Sequence, residues 1–147
     1  MSYNTLDKIK KLRISEAKLI QLTDDADLGI VDEEIAAGVI AGGDALIDSY
    51  LRGRLQLPLN PVPDLIPELA LDIYAYGFYS LKPEFEMPKT IAERNATAIN
   101  TLKLIQKGDV KLGAAEIETP AVGGSAAQSI SRTRKSRFGD DVMDGYN

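Results

Sequence analysis

The sequence predicts an all-α fold, a small bundle of three longer helices and one or two short helices with an extended C-terminal tail. Apolar residues recur at helical spacing over most of residues 1–112, and glycines and prolines mark the ends of the helical segments. Residues 113–147 lack this periodicity, and small and polar residues dominate the first half of that segment. We therefore predict a helical body at 1–112 and an extended docking tail at 113–147, which is rich in Gly, Ala and Ser and carries basic residues.

Two short helices are predicted at the start of the body. Apolar residues recur at helical intervals over residues 6–12 and 17–22, and Ser15 precedes the second run at the position of an N-cap. An acidic turn follows at residues 23–34. Asp32 lies where an N-cap with acidic residues in the first turn would begin the next helix.

A long helix is predicted from residue 33 to about residue 54. Its apolar stripe leaves Asp44 and Asp48 on the opposite, polar side, where Asp48 is four residues before an arginine and could pair with it. Gly42 and Gly43 interrupt the pattern, and each costs up to about 1 kcal/mol relative to Ala in a helix interior. We expect either a bend at these glycines or the close approach of another backbone.

A proline-rich connection follows at residues 56–63. Three prolines within this stretch exclude a helix and favour an extended, stiff segment. We expect this structural turn to set the angle between the helices that it joins. Its residues are Pro58, Pro61 and Pro63.

Two further helices complete the predicted body. The first begins after Asp64, at the N-cap position, and reaches about residue 81, and its aromatic side chains are expected to be mostly core. The second begins near Pro88, which suits a first helical turn, and continues to Lys107. Gly108 follows as the signal for the end of that helix.

The composition removes most of the common catalytic groups. The chain has 17 basic and 22 acidic residues, and its net charge of -5 argues against a general affinity for nucleic acid or anionic membranes. It contains no Cys and no His, which excludes disulfides, thiolate nucleophiles, zinc sites built on these residues and imidazole catalysis. We expect no enzyme activity, no cofactor and no metal.

No apolar run approaches the ~18–20 residues needed to cross a bilayer, so we expect a protein of the cytoplasm or of an assembly made there.

The acidic turn does not match a calcium-binding loop. With Gly29 at the glycine position of such a loop, Ala26 and Leu28 fall at ligand positions. Ile35 then occupies the place of the bidentate glutamate. A solvated acidic turn that begins a helix is the better interpretation.

The tail carries a cluster of basic residues beside an aromatic residue, followed by an acidic tip with apolar residues. Such a cluster can bind DNA phosphates, and the protein would then be a nucleic-acid-binding packaging or regulatory factor. It can equally bind an acidic protein surface, for which the acidic turn of another copy is one candidate, and we favour protein docking. Arg52 and Arg54 are either solvated charges or partners of a neighbour's acids. The candidate contact residues of the tail are Arg132, Arg134, Lys135, Arg137, Phe138, Val142, Met143 and Tyr146.

One stretch of the chain resembles a known family. Residues 47–59 contain Tyr-Leu-Arg-Gly-Arg and Leu-Pro-Leu, and Pro61-Val62-Pro63 then leads into the next helix. This pattern resembles the Mu-like phage and prophage neck proteins, which are similar to head-tail connector (adaptor) proteins of tailed phages. The resemblance extends over nearly the full length, from an amino-terminal segment that ends at 19–24 to the basic tail.

The resemblance implies a structural role in the neck of the virion. Several copies, expected to number twelve, would form a homo-oligomeric ring beneath the portal protein. The ring would extend the DNA channel, with no sequence-specific DNA binding, and would seat a stopper or tail-completion protein. Connector relatives send a C-terminal segment into the portal or across neighbouring subunits. The resemblance thus implies a virion protein assembled in the host cytoplasm, with no membrane partner.

Overall fold

The fold is all-α, as predicted. A computed structural model describes residues 2–113, and this range contains three long helices, two short ones and no strand. Residue 1 and residues 114–147 lie outside the described residues, so the predicted tail stays a prediction. The helices are α1 (Leu6–Leu12), α2 (Glu16–Thr23), α3 (Glu33–Leu51), α4 (Leu65–Tyr79) and α5 (Lys89–Lys107).

Local signals set several of the helix ends. The Ser15 hydroxyl accepts a hydrogen bond from the Lys18 amide at 3.3 Å, and the Asp32 carboxylate accepts from the Glu34 and Ile35 amides at 3.0 and 3.1 Å. The N-caps predicted at Ser15 and Asp32 are therefore confirmed. Asp64 precedes α4 as expected, but its side chain makes no capping hydrogen bond. Gly108 ends α5 with φ of 90°, a backbone conformation that favours glycine.

Helix α4 lies at the centre of the body and contacts each of the other four helices. Its sequence is apolar on nearly every side, which is typical of a helix enclosed by neighbours rather than one at a surface. The fully buried Tyr74 and Phe78 are its largest side chains in the core. The expectation that the aromatics of this helix are mostly core therefore holds for these two, whereas Tyr76 is exposed.

The two adjacent glycines of α3, Gly42 and Gly43, have different surroundings. The helix continues through both of them without a break. A Cβ atom at Gly43 would lie 2.6 Å from Cδ1 of Tyr74, whereas a Cβ atom at Gly42 would meet nothing within 4 Å. The close approach is made by a side chain of α4 and not by the backbone that was expected, and only Gly43 is required for it.

The proline-rich connection is non-helical, as predicted, and it contributes to the core. Leu59 is buried at 3% exposure, as is Leu55 just before the connection. The Leu57–Pro58 and Asn60–Pro61 peptide bonds are cis. Pro58 and Pro61 are exposed, and Pro63 is half-buried.

Candidate assembly surfaces

A buried polar network fastens the N-terminal segment to α3 and α4. The backbone N–H of Tyr3 donates to Asp44 Oδ1 at 3.2 Å, and the Tyr74 hydroxyl donates to the same oxygen. The Tyr3 hydroxyl donates to Asp48. Burial and then these hydrogen bonds to carboxylates raise the pKa of both tyrosines above their ordinary value.

This network corrects the expectation that Asp44 and Asp48 lie on an outer, polar face of α3. Asp44 is only 8% exposed, and no Asp48–Arg52 ion pair forms within residues 2–113. The residue that covers this side of α3 is Tyr3, which precedes Asp44 by 41 positions. Helical spacing carries no information about such a distant partner.

A second clamp joins the end of α1 to α4. Arg13 Nε donates to Asp72 Oδ1 at 2.8 Å, and Arg13 Nη2 lies 3.5 Å from a carboxylate oxygen of Glu68. The Arg13 and Asp72 side chains are largely covered by protein, so water screens their pairing less than it screens an exposed pair. The first helix is thus held in a defined position on the body.

Of the two arginines after α3, one is exposed and the other contacts α5. Arg52 lies at the C-cap of α3 and is exposed. Arg54 Nη2 donates to the carbonyl oxygen of Lys107 at 2.9 Å, at the end of α5 where a cation is favoured by the helix dipole. A Cβ atom at Gly108 would lie 2.3 Å from this guanidinium nitrogen. Arg54 therefore has a role inside the body, and its contact with a neighbour stays a prediction.

An apolar groove runs between α3, α4 and α5. Its volume is about 340 Å³, and Leu46 and Tyr76 at its edge are exposed. The groove was not predicted, because it exists only once three helices have packed together. Apolar surface of this kind, open to solvent in a single chain, is typical of a contact with another protein. Its main lining residues are Val39, Gly42, Leu46, Tyr76, Asn95 and Ile99.

The loop between α2 and α3 forms a second surface, which combines carboxylates with exposed apolar side chains. Leu28 and Ile30 are 69% and 60% exposed, and they line a concavity of about 500 Å³ together with Asp24, Asp32 and Glu33. We call residues 24–34 the acidic loop. Among residues 2–113, no group of three or more His, Cys, Asp or Glu residues is arranged to hold a metal ion.

The acidic loop is held by hydrogen bonds at both ends. Asp24 accepts from the amides of Leu28 and Gly29 at 2.9 and 2.7 Å, and these bonds lower the pKa of its carboxyl group. At the other end, the hydroxyl of buried Thr23 accepts from the Asp32 amide at 3.1 Å. The loop therefore presents a preformed surface.

An ion pair connects the acidic loop to the segment between α4 and α5. Lys82 Nζ donates to a carboxylate oxygen of Asp25, and this bond raises the pKa of Lys82. The ammonium group is thus held close to the loop, while the two exposed apolar side chains of the loop stay open to solvent.

The predicted contact residues of the tail lie outside the described residues. Their contacts therefore stay predictions. They are Arg132, Arg134, Lys135, Arg137, Phe138, Val142, Met143 and Tyr146.

Comparison with known proteins assigns the chain to a family. None of the helices within residues 2–113 is both long enough and apolar enough to cross a membrane. A comparison with curated proteins finds no match. The model of the family described as Bacteriophage Mu, Gp36 matches residues 3–130, which include all five helices and the first part of the predicted tail. The chain belongs to the bacteriophage Mu Gp36 family and is a Mu-like phage protein.

Proposed function

We propose that this protein is a structural head-tail connector (adaptor) in the neck of a tailed phage. Several copies, twelve in this proposal, form a ring beneath the portal protein. The ring extends the DNA channel and seats a stopper or tail-completion protein. Membership of the Mu Gp36 family is the observation that carries the proposal, because the match includes nearly all of the helical body.

The surface of the body supports an assembly role. Arg13 and the Asp44 network fix the N-terminal segment and α1 on the core, which gives a subunit with a constant surface. That surface includes an apolar groove and the acidic loop, both open to solvent in a single chain. Repeated contacts between identical subunits close rings when the contact is head-to-tail and its rotation closes. Function in this proposal is binding alone, with no bond made or broken and no cofactor.

The tail supplies the remaining contacts in this proposal. Its basic cluster and its apolar tip bind the portal or adjacent copies, and burial of the tip side chains offsets the cost of ordering the segment. Arg52, exposed at the end of α3, is available for a neighbour's acids. DNA passes through the ring without sequence-specific binding.

Imaging of the purified protein mixed with its portal protein tests the proposal. Negative-stain particles should show an additional ring on one face of the portal, and this capture should resist nuclease treatment. Mature virions should also contain the polypeptide. Its absence from virions, or turnover of a substrate by the purified protein, would overturn the proposal.

The second candidate is a nucleic-acid-binding packaging or regulatory factor. The observation that favours it is the cluster of four basic residues between Arg132 and Arg137. Phosphate binding by these residues would weaken steeply as salt rises. A salt-dependent shift of duplex DNA by the isolated protein would support this candidate over the connector.

A further inference from the structure

We propose that the acidic loop of one copy binds the basic segment 132–138 of a second copy. The loop acts as the acceptor and the tail segment as the donor, so that each copy gives one contact and receives one. This inference deepens the proposed ring by naming a contact that holds neighbouring copies together. It concerns only residues of this chain and does not depend on which face of the ring meets the portal.

The acidic loop, which is the acceptor of this contact, combines negative charge with exposed apolar side chains. The acidic loop contains six carboxylates and no basic residue. Asp24 and Asp32 are used by the loop's own backbone, and Asp25 pairs with Lys82. The other three are exposed and form no ion pair with any residue in the 2–113 range; they are Asp27, Glu33 and Glu34.

The apolar part of the acceptor is left uncovered by the rest of residues 2–113. Leu28 and Ile30 project from a loop whose backbone is already fixed, with exposures of 69% and 60%. Large apolar side chains this exposed, and rimmed by charge, are typical of a protein contact rather than of a solvated turn. A partner for this surface therefore needs cations and at least one apolar side chain.

Segment 132–138 has this chemistry. It reads Arg-Thr-Arg-Lys-Ser-Arg-Phe, with four cations followed by an aromatic side chain. The cations match the unpaired carboxylates of the loop, and Phe138 matches the exposed Leu28 and Ile30. Complementary charge of this kind selects a partner and aligns it, while the burial of apolar surface adds affinity.

The point where the predicted tail leaves the body lies far from the acidic loop of the same copy. The acidic loop lies at the N-terminus of α3 and includes the first two residues of that helix. Arg54, just after the C-terminus of α3, binds the end of α5, after which the predicted tail begins. Helix α3 has 19 residues, so about 28 Å separates its two ends. A tail that leaves the body near one end of α3, and an acceptor at the other end, suit a head-to-tail contact, which is the kind that generates rings.

The chain between body and segment is long enough for this contact. Between Gly113 and Arg132 there are 19 peptide units, which span at most about 65 Å when fully extended. A body of this size has a radius of gyration of about 13 Å. Segment 132–138 can therefore reach the acidic loop of an adjacent copy.

Charge exchange in the full-length protein tests the contact. Glu33→Lys with Glu34→Lys should weaken self-association about tenfold or more in sedimentation experiments, and Arg134→Glu with Lys135→Glu should do the same. A mixture of the two double variants should associate again, because each supplies the charge that the other lost. Glu86→Lys with Glu93→Lys, at exposed carboxylates outside the loop, should leave association unchanged. Circular dichroism checks that each variant stays helical.

Photo-crosslinking identifies the partner segment directly. A photoreactive phenylalanine analogue at position 138, in a mixture of isotopically labelled and unlabelled copies, should crosslink to residues 24–34 of the other copy. Crosslinks within one copy only, crosslinks to another surface, or a parent protein that stays monomeric at high concentration would overturn the inference. Normal rings on the portal with either charge-reversed variant would also overturn it, while leaving the connector function intact.

Discussion

The carboxylate of Asp44 shows how single residues determine the position of the N-terminal segment. Asp44 and Thr23 are the buried polar residues of the core within the 2–113 range. A buried carboxylate is costly unless its oxygens accept hydrogen bonds, and Asp44 accepts them from the Tyr3 amide and the Tyr74 hydroxyl. The three residues come from different parts of the chain, so removal of any one leaves a buried polar group without its partner.

The raised pKa of Tyr74 predicts a loss of stability in alkaline solution. The folded protein holds the phenol proton more tightly than the unfolded chain, whose tyrosines ionise near pH 10. The free energy that protonated Tyr74 contributes to folding is therefore fully present below about pH 10. It decreases as the pH rises further, because ionisation of the phenol then stabilises the unfolded chain and not the folded protein. Urea unfolding between about pH 8 and about pH 11 should show a steeper fall for the parent than for Tyr74→Phe.

At neutral pH, Tyr74→Phe should be less stable than the parent by about 1 kcal/mol, since one buried hydrogen bond is lost. Tyr76→Phe, at an exposed position of the same helix, is the matched control and should follow the parent at every pH. Equal pH dependence in the parent and in Tyr74→Phe would contradict the assigned role of this hydroxyl.

At the scale of helices, the contact between α3 and α4 depends on small residues. Gly43 receives the ring of Tyr74, and a Cβ atom at Gly77 would lie 2.9 Å from Cγ1 of Val39. Both glycines allow the two helices to approach more closely than larger residues would permit. The lower helix propensity of glycine is offset by this packing.

Substitution of the two adjacent glycines of α3 should have opposite effects. Gly43→Ala places a methyl group against the Tyr74 ring and should destabilise the protein by about 1–3 kcal/mol. Gly42→Ala adds a methyl group in open space and should stabilise the helix by up to about 1 kcal/mol. Urea unfolding midpoints of the two variants check this, and a shift in the same direction for both would refute it.

The helices and their ends were predictable because their signals are local. Ser15, Asp32 and Gly108 each lie within a few residues of the backbone groups that they satisfy or redirect. The burial of Asp44 was not predictable, since its partners are separated from it by 30 and 41 positions. The acidic loop was predictable because its residues are adjacent in the sequence. The groove between α3, α4 and α5 was not predictable, because its lining residues come from three separate helices.

At the scale of the whole molecule, the expectation of a Mu-like phage protein is confirmed, whereas the similarity to connectors and the position in the neck stay proposals. The Mu Gp36 match includes the body and continues to residue 130. Motifs such as Tyr-Leu-Arg-Gly-Arg were sufficient to indicate this family. Within that motif, Leu51 is buried, Arg52 is exposed and Arg54 contacts α5. Partners lie outside a single chain and therefore need direct experiments.

Deletion of residues 125–147 separates the body from the proposed docking function. The five helices of the described part of the chain lie within residues 6–107, and the tail is predicted to be extended. The circular dichroism of the truncated protein should therefore show the same number of helical residues as the parent. Phage that make only the truncated protein should accumulate heads and tails that do not join, as seen by electron microscopy of lysates. Supply of the full chain from a plasmid is the control and should restore joining. A normal yield of infectious particles from the deletion alone would refute the proposed role of the tail.

The central position of α4 has a consequence for how the body unfolds. Because every other helix packs directly on α4, loss of this helix removes the main support of all the others at once. The body is then expected to unfold cooperatively, as a single foldon, with the slowest hydrogen-deuterium exchange along α4. We therefore expect the body to have no stable half-folded form that would expose its apolar interior.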